Sequence, residues 1–283
     1  MNKKQRITPI TRVLNEKAEA TADEVVVEAP LSMSLRLRHG EELETKSIAV
    51  TMRTPGDDKF LCAGFLLTEG IITTGLAIEE ITTEELGNDV SRAQVRIAAG
   101  YKLDPKKLER NIYTNSSCGM CSRSTLESIE VHAPSLENQE GPRLQYNQLF
   151  DFPKKLAAAQ LSFNRTGAMH AAALFNTAGD CIDVQEDVGR HNALDKIIGK
   201  ALLHDDLPLR DLTLLLSGRA GFELLQKAHV AGLSMVVALG APTSLSIALA
   251  HRAGITLVGF LKDGRFNIYT HPQRIVTPSE DSL

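Results

Sequence analysis

The stretch "LTLLLSGRAGFELLQKAHVAGLSMVVALG", Leu212 to Gly240, decides the fold. It opens with a short continuous apolar run bounded by Ser-Gly. A segment with Leu224, Leu225 and Ala228 at helical spacing follows, and a second apolar run ends in glycine. Runs of this kind without polar alternation are strands covered on both faces, and a helix between two such strands is the parallel crossover unit. The pattern continues downstream. "SLSIALAHRAG" (Ser244 to Gly254) reads as a helix, "ITLVGFL" (Ile255 to Leu261) as a strand, and "DGRFNIYT" (Asp263 to Thr270) as a tight turn with an edge strand. Upstream, "GAMHAAALFN" and "CIDVQED" read as paired strands joined at "TAGD", followed by the helix "GRHNALDKIIGKALL". Ala-His-x-Ala-Gly occurs twice, at Ala228 and Ala250, each time before a strand. His229 and His251 then sit in a last helical turn ahead of a left-handed glycine cap, favourable to the helix dipole.

The first part of the chain is sheet-rich. "EVVVEAPLSMSLRLRHG" (Glu24 to Gly40), "KSIAVTMRT" (Lys46 to Thr54) and "AQVRIAAG" (Ala93 to Gly100) alternate like strands. "DDKFLCAGFLLTEG" (Asp57 to Gly70) has helical spacing, opened by aspartate and closed by glycine. "NIYTN" is a further strand candidate and "SRSTLESIEV" a helix with Ser124 and Glu127 as a capping box. Residues 133–141 read as a linker. These readings divide the chain into a disordered tail over 1–22, a β-rich subdomain over 23–132 and an α/β subdomain over 145–283. Composition fits a soluble globular protein, with 43% hydrophobic and 23% charged residues. No apolar run is long enough for a membrane helix and no secretory signal is visible, so a cytoplasmic protein is expected. The net charge of -4 argues against non-specific nucleic-acid binding.

Three places carry chemistry. "TNSSCGMCSRST" (Thr114 to Thr125) holds Cys118 and Cys121 among small and hydroxyl residues. A zinc site would need two more ligands, and no second Cys-x-x-Cys exists. A zinc deaminase would place His-x-Glu before Pro-Cys-x-x-Cys, whereas His170 follows the cysteines and lacks the glutamate. A redox or sulfur-bearing pair at a helix start, with a depressed thiol pKa, and two inert loop cysteines both remain open. Second, "LLLSGRAGFE" and "VALGAPTSLS" place Ser217, Gly218, Arg219, Thr243 and Ser244 at strand-to-helix turns, where backbone N–H groups bind phosphate. Lys262 and Arg265 bracket the Asp263–Gly264 turn and add cations. Third, "EDVGRHNALDK" is the densest polar cluster: Asp187 as helix cap, and His191 and Asp195 at i,i+4, where they can hydrogen-bond.

Taken with "HAAALF" (His170 to Phe175), "SGRAGFELLQKA" (Ser217 to Ala228), "APTSLSIALA" (Ala241 to Ala250) and "GFLKDGRFNIYT" (Gly259 to Thr270), these motifs resemble the FdhD family, the formate dehydrogenase accessory sulfurtransferases. Ser122 departs from the glycine that members often carry after the second cysteine. The resemblance implies an α/β fold: a cytidine deaminase-like three-layer C-terminal core without its zinc chemistry, and a smaller mixed, β-rich N-terminal subdomain. It implies a persulfide carrier that takes sulfur from a cysteine desulfurase. The acceptor is the molybdenum (or tungsten) bis-guanine-dinucleotide pterin cofactor, held as bound substrate and delivered to formate dehydrogenase, with no structural metal. Cys118 would bear the persulfide and Cys121 would assist. Phe260, Leu261, Lys262, Asp263, Gly264 and Arg265 would contact the cofactor. The strand-to-helix turns add the expectation that Ser217, Gly218, Arg219, Thr243 and Ser244 hold its phosphate or nucleotide, with His191 and Asp195 as a nearby polar support at the cofactor site. A homodimer is expected. The competing class is a cofactor-delivery chaperone that moves no sulfur.

Overall fold

The computed structural model describes residues 4–39, 42–87, 89–104, 133, 136 and 141–277. Cys118, Cys121, "NIYTN", the expected helix at "SRSTLESIEV" and most of the expected linker lie outside the described residues.

The C-terminal half is built on a six-stranded sheet. Its strands are β8 (His170–Phe175), β9 (Cys181–Asp187), β10 (Thr213–Leu216), β11 (Met235–Ala238), β12 (Thr256–Lys262) and β13 (Arg265–Thr270), in the order β13-β12-β11-β10-β8-β9. Strands β10, β11 and β12 are parallel, while β13 runs antiparallel to β12, β8 to β10 and β9 to β8. Both faces are covered, as the apolar runs require. Leu214, Leu216, Val236, Ala238 and Leu257 face one core, and Leu215, Met235, Val237 and Val258 face the other.

The first core receives α1 (Asp58–Thr68), α5 (Arg190–Leu203), α6 (Phe222–Val230) and α7 (Ser244–Ala253). The second core receives the short helices α2 (Tyr146–Leu149) and α3 (Phe152–Ala159), where Phe152 stacks on Phe175 at 3.9 Å between ring centroids. A further turn of helix, α4 (Phe163–Thr166), precedes β8. The small strands β7 (Leu144–Gln145) and β14 (Ile275–Val276) pair with each other and place Leu144 and Ile275 in the second core. Glycines at φ 79 (Gly232) and φ 76 (Gly254) end α6 and α7, as the repeated Ala-His-x-Ala-Gly predicts.

The N-terminal half holds a four-stranded sheet of order β4-β3-β6-β5, made of β3 (Ala29–His39), β4 (Glu42–Arg53), β5 (Ile78–Gly87) and β6 (Val90–Ile97). Its inward residues Leu31, Met33, Leu35, Ala93 and Val95 join the same core as α1, α5 and the large sheet, so the two expected subdomains share one interior. The N-terminal tail is a correction. Residues expected to be disordered form the antiparallel hairpin β1 (Gln5–Leu14) and β2 (Lys17–Val26). Asn15 and Glu16 turn the chain with φ 46 and φ 64, the double-positive geometry of a two-residue hairpin loop. Lys4–Asp57 (3.1 Å) and Arg165–Glu24 (2.7 Å) ion pairs tie the hairpin to the body. Among the described residues no helix is long and apolar enough to cross a membrane.

Candidate functional site at the sheet edge

Strand polarity brings two of the three chemistry-bearing stretches together, the strand-to-helix turns and "EDVGRHNALDK". The C-terminal ends of β9, β10, β11 and β12 lie on one edge, together with the start of the antiparallel β8. Helices α5, α6 and α7 therefore all begin there. Open α/β sheets bind ligands at such an edge, because the first-turn N–H groups and helix dipoles converge on it.

The strand-to-helix loops are laced into one rim. Ser217 N–H donates to Ala171 O (3.0 Å), and Ala171 N–H donates to Ser217 Oγ (2.8 Å). Gly240 N–H donates to Gly218 O (3.0 Å), Ala220 N–H to Ala241 O (3.1 Å), Thr243 N–H to Ala220 O (3.2 Å) and Phe260 N–H to Gly240 O (3.0 Å). This lacing leaves no room at position 240, where a Cβ would stand 2.9 Å from Gly218 O. Gly240 is thus required by close approach of two backbones.

The helix starts differ. Thr243 Oγ1 accepts from Ser246 N–H (3.3 Å), and Ser246 Oγ accepts from Thr243 N–H (2.8 Å), so α7 is closed by a capping box. Gly189 and Gly221 stand at the N-caps of α5 and α6 with no side-chain cap. The uncapped starts are the ones with the best-disposed donors for an anion, and Arg190 and the exposed Arg219 lie beside them. Ser244 is exposed on the rim, while the hydroxyl oxygen of Thr243 is already engaged.

Residues 260–265 divide by pleat. Phe260 is 39% exposed in a left-handed conformation (φ 56), presenting an aromatic face next to the rim. Leu261 is buried in the second core, so its side chain is turned away from any ligand at this edge. Lys262 pairs with Arg265 across the Asp263–Gly264 turn, and all four residues are exposed. Asp263 lies 3.6 Å from Lys154.

The polar cluster "EDVGRHNALDK" mostly faces inward. Asp187 is fully buried: Oδ2 lies 2.7 Å from Lys196 Nζ and Oδ1 accepts from Gly189 N–H (2.9 Å) and Asn192 Nδ2 (2.9 Å). It braces the turn ahead of α5 rather than capping its first N–H groups. Glu186 accepts from the N–H groups of Ser162 (2.9 Å) and Phe163 (2.8 Å). The expected His191–Asp195 pair does not form. Asp195 turns into the core, accepting from Thr68 Oγ1 (2.8 Å) and Lys227 Nζ (3.0 Å), because α6 offers a buried ammonium there. Burial pushes the Asp195 carboxyl up against the pull of that ammonium, and the two carboxylates of Asp195 and Glu69 hold the Lys227 amine protonated. His191 stays at the mouth, with Nε2 2.8 Å from Glu223 Oε2, and this hydrogen bond depresses the Glu223 carboxyl.

His170, which sequence reasoning weighed only as a zinc ligand, is half-buried at the start of β8, next to Gly218. Burial first, then the charges of Arg190 and His191, push its pKa below the usual value. Among the described residues no group of three or more His, Cys, Asp or Glu is placed to hold a metal ion.

A protein of Streptomyces avermitilis named sulfur carrier protein FdhD is 42% identical over 272 residues, covering 94% of both chains. One of Saccharolobus solfataricus with the same name is 38% identical over 266 residues, covering 94% of this chain and 96% of the other. A crystal structure from Desulfotalea psychrophila, reported as a candidate formate dehydrogenase accessory protein, superposes with a TM-score of 0.74 at 24% identity over 96% of this chain and 100% of that one, which speaks for the fold. The model of the FdhD/NarQ family matches residues 27–276, a span that takes in both sheets, the laced rim and all three helix starts, and the chain belongs to that family.

Proposed function

We propose that this protein is a sulfur carrier and sulfurtransferase serving formate dehydrogenase. A Cys118 thiolate attacks the outer sulfur of a persulfide on a cysteine desulfurase. The new S–S bond forms at Cys118 as the desulfurase thiolate leaves, and Cys121 assists the onward transfer. The sulfur passes to the molybdenum or tungsten of the bis-guanine-dinucleotide pterin, which is cargo here and not a resident cofactor. The relatives' names support the carrier role. The observation that carries the binding half is the convergence of the α5, α6 and α7 starts on one edge, with Arg190, Arg219 and the exposed ring of Phe260. Uncapped helix starts and guanidinium groups suit diphosphate, and an exposed aromatic face suits a purine. Lys262 and Arg265 add charge for the second arm, with Gly264 leaving the turn open. On the same reading the C-terminal core is cytidine deaminase-like without zinc, and the protein acts as a homodimer in the cytoplasm.

The test is mass spectrometry after incubation with a cysteine desulfurase and cysteine. The expected result is one added sulfur on the wild-type protein, none on Cys118→Ala, and no formate dehydrogenase activation by that variant although it still binds guanosine diphosphate. Full activation by Cys118→Ala overturns the carrier role. Bound zinc with no added sulfur favours a delivery protein that moves no sulfur.

A further inference from the structure

We propose that His170, rather than His191, is the imidazole that meets the anionic ligand at the sheet edge, and that binding is coupled to uptake of one proton by its ring. The proposal rests on the anion-binding reading above and adds to it a residue and a linkage.

The two histidines at this edge are in different situations. His191 Nε2 is engaged by Glu223 Oε2 at 2.8 Å, a bridge between the first turns of α5 and α6. A ligand reaching His191 must first displace a carboxylate. Among the described residues none makes a hydrogen bond or ion pair to the His170 ring. The backbone around His170 is rigid: its residue pairs with Asp187 across β8 and β9, and the next residue is locked to Ser217 on both sides of the peptide. The ring borders Gly218, where a Cβ would lie 3.4 Å from Cε1 and 3.5 Å from Nδ1. Glycine there puts no side chain of its own against the ring edge, which lies between the uncapped starts of α5 and α6.

The charges around the ring set its response. Arg190 and His191 at the start of α5 and Arg219 on the loop after β10 are basic, with Glu223 on α6 turned to His191. Asp187 at the end of β9 is already neutralised by Lys196 at 2.7 Å. Burial and Arg190 both lower the pKa of His170 and so favour the uncharged ring. A phosphate dianion reverses the local sign. It favours the imidazolium, which donates a charge-assisted hydrogen bond, and the proton comes from solvent.

Calorimetry with guanosine diphosphate and with inorganic pyrophosphate, in buffers of different ionisation enthalpy, measures the protons taken up. We expect uptake approaching one proton, and affinity that tightens as pH falls, by up to about tenfold per pH unit between the ligand-free and ligand-bound pKa of the ring. His170→Asn should abolish both effects, whereas His191→Asn should retain them. A measurement without substitution guards against a misfolded variant: in histidine-labelled protein, the His170 resonance should titrate at higher pH with ligand than without. Binding that is pH-independent in the wild type, or a His170 resonance whose titration does not move, overturns the role of His170 and leaves the anion site standing. Failure of both ligands to bind at any pH overturns the anion site and this proposal together.

Discussion

Replacing Gly199 by alanine separates two opposite expectations. Gly199 lies within α5, where it faces Gly64 of α1. Glycine is a poor helix former, so on propensity alone alanine would stabilise the protein by about 1 kcal/mol. The crossing says otherwise. A Cβ at 199 would stand 1.8 Å from Phe60 O and 2.5 Å from Gly64 N, and a Cβ at 64 would stand 1.9 Å from Asp195 O. These contacts are with backbone, which cannot rotate away. Restoring van der Waals distance requires the helices to part by roughly 1.5 Å along the whole crossing, the scale on which overpacking costs about 1–3 kcal/mol, occasionally more. Parting them also stretches the Thr68–Asp195 hydrogen bond, 2.8 Å across this interface. We expect Gly199→Ala to lose about 3 kcal/mol net of propensity, a large share of the roughly 5–15 kcal/mol typical of a folded protein. The thermal midpoint should fall by about 6–12 °C at 2–4 °C per kcal/mol. Denaturant unfolding followed by far-ultraviolet circular dichroism checks this. A variant as stable as the wild type, or more so, would refute the claim that α1 and α5 meet backbone to backbone.

Gly221→Ser should raise the thermal midpoint by the equivalent of a few tenths of a kcal/mol while weakening guanosine diphosphate binding, because position 221 has extended φ/ψ and open space for a Cβ, and a hydroxyl cap engages the N–H groups an anion would use; differential scanning fluorimetry with and without ligand reads both. Lys227→Met should cost about 3–5 kcal/mol by leaving Asp195 buried without its ammonium, and Lys227→Met with Asp195→Leu should recover much of it in urea unfolding. The ligand-free protein should lose stability as pH falls through about 6.5, because the unfolded chain then takes up a proton that folded His170, with its lowered pKa, resists; His170→Asn should remove that slope. Glu223 contributes with the same sign at lower pH: its depressed carboxyl stabilises above an unfolded value of about 4.3, and that contribution disappears as pH falls through the folded value, so Glu223→Gln should flatten the pH dependence of stability only in this more acidic range.

How much of this was legible follows from where the signal sits. The strands of the large sheet declare themselves because "TLLL" and "MVVA" are buried on both faces, and a doubly covered strand is apolar throughout. The helix starts were legible for the same reason, since Gly, Ser and Thr interrupt those runs at fixed places. Strand β5 was missed because it lies at the edge of the small sheet with mostly exposed residues, "IEEITTEELG", and has almost no buried face to announce it. The N-terminal hairpin was missed because a polar segment with little apolar burial reads like a tail, and its signal is confined to Asn15 at the turn. Pair partners were the least legible. The spacing of His191 and Asp195 permits a bond along α5, but the choice was made by Glu223 and Lys227 on α6, which are far away in sequence.

The motif "EDVGRHNALDK" shows why a dense polar stretch can be mostly internal. An anion-binding edge needs helix starts held at fixed positions, and α5 begins on a bare glycine cap with no side chain to steady it. The steadying comes from beneath. Asp187 ties the turn to Lys196 in the second turn of α5 and to Thr54 N–H (3.2 Å) just after β4, and Asn192 Nδ2 donates to Met52 O (2.8 Å). A buried carboxylate with four donors is stable only if all of them stay in place, so the network fixes both the angle of α5 and its distance from the N-terminal sheet. With that bracing underneath, the first-turn N–H groups, Arg190 and His191 are left to face outward. The charged residues that sequence inspection ranks together thus separate: the inner set braces the start of α5, while Arg190 and His191 lie at the sheet edge, where His191 is paired with Glu223.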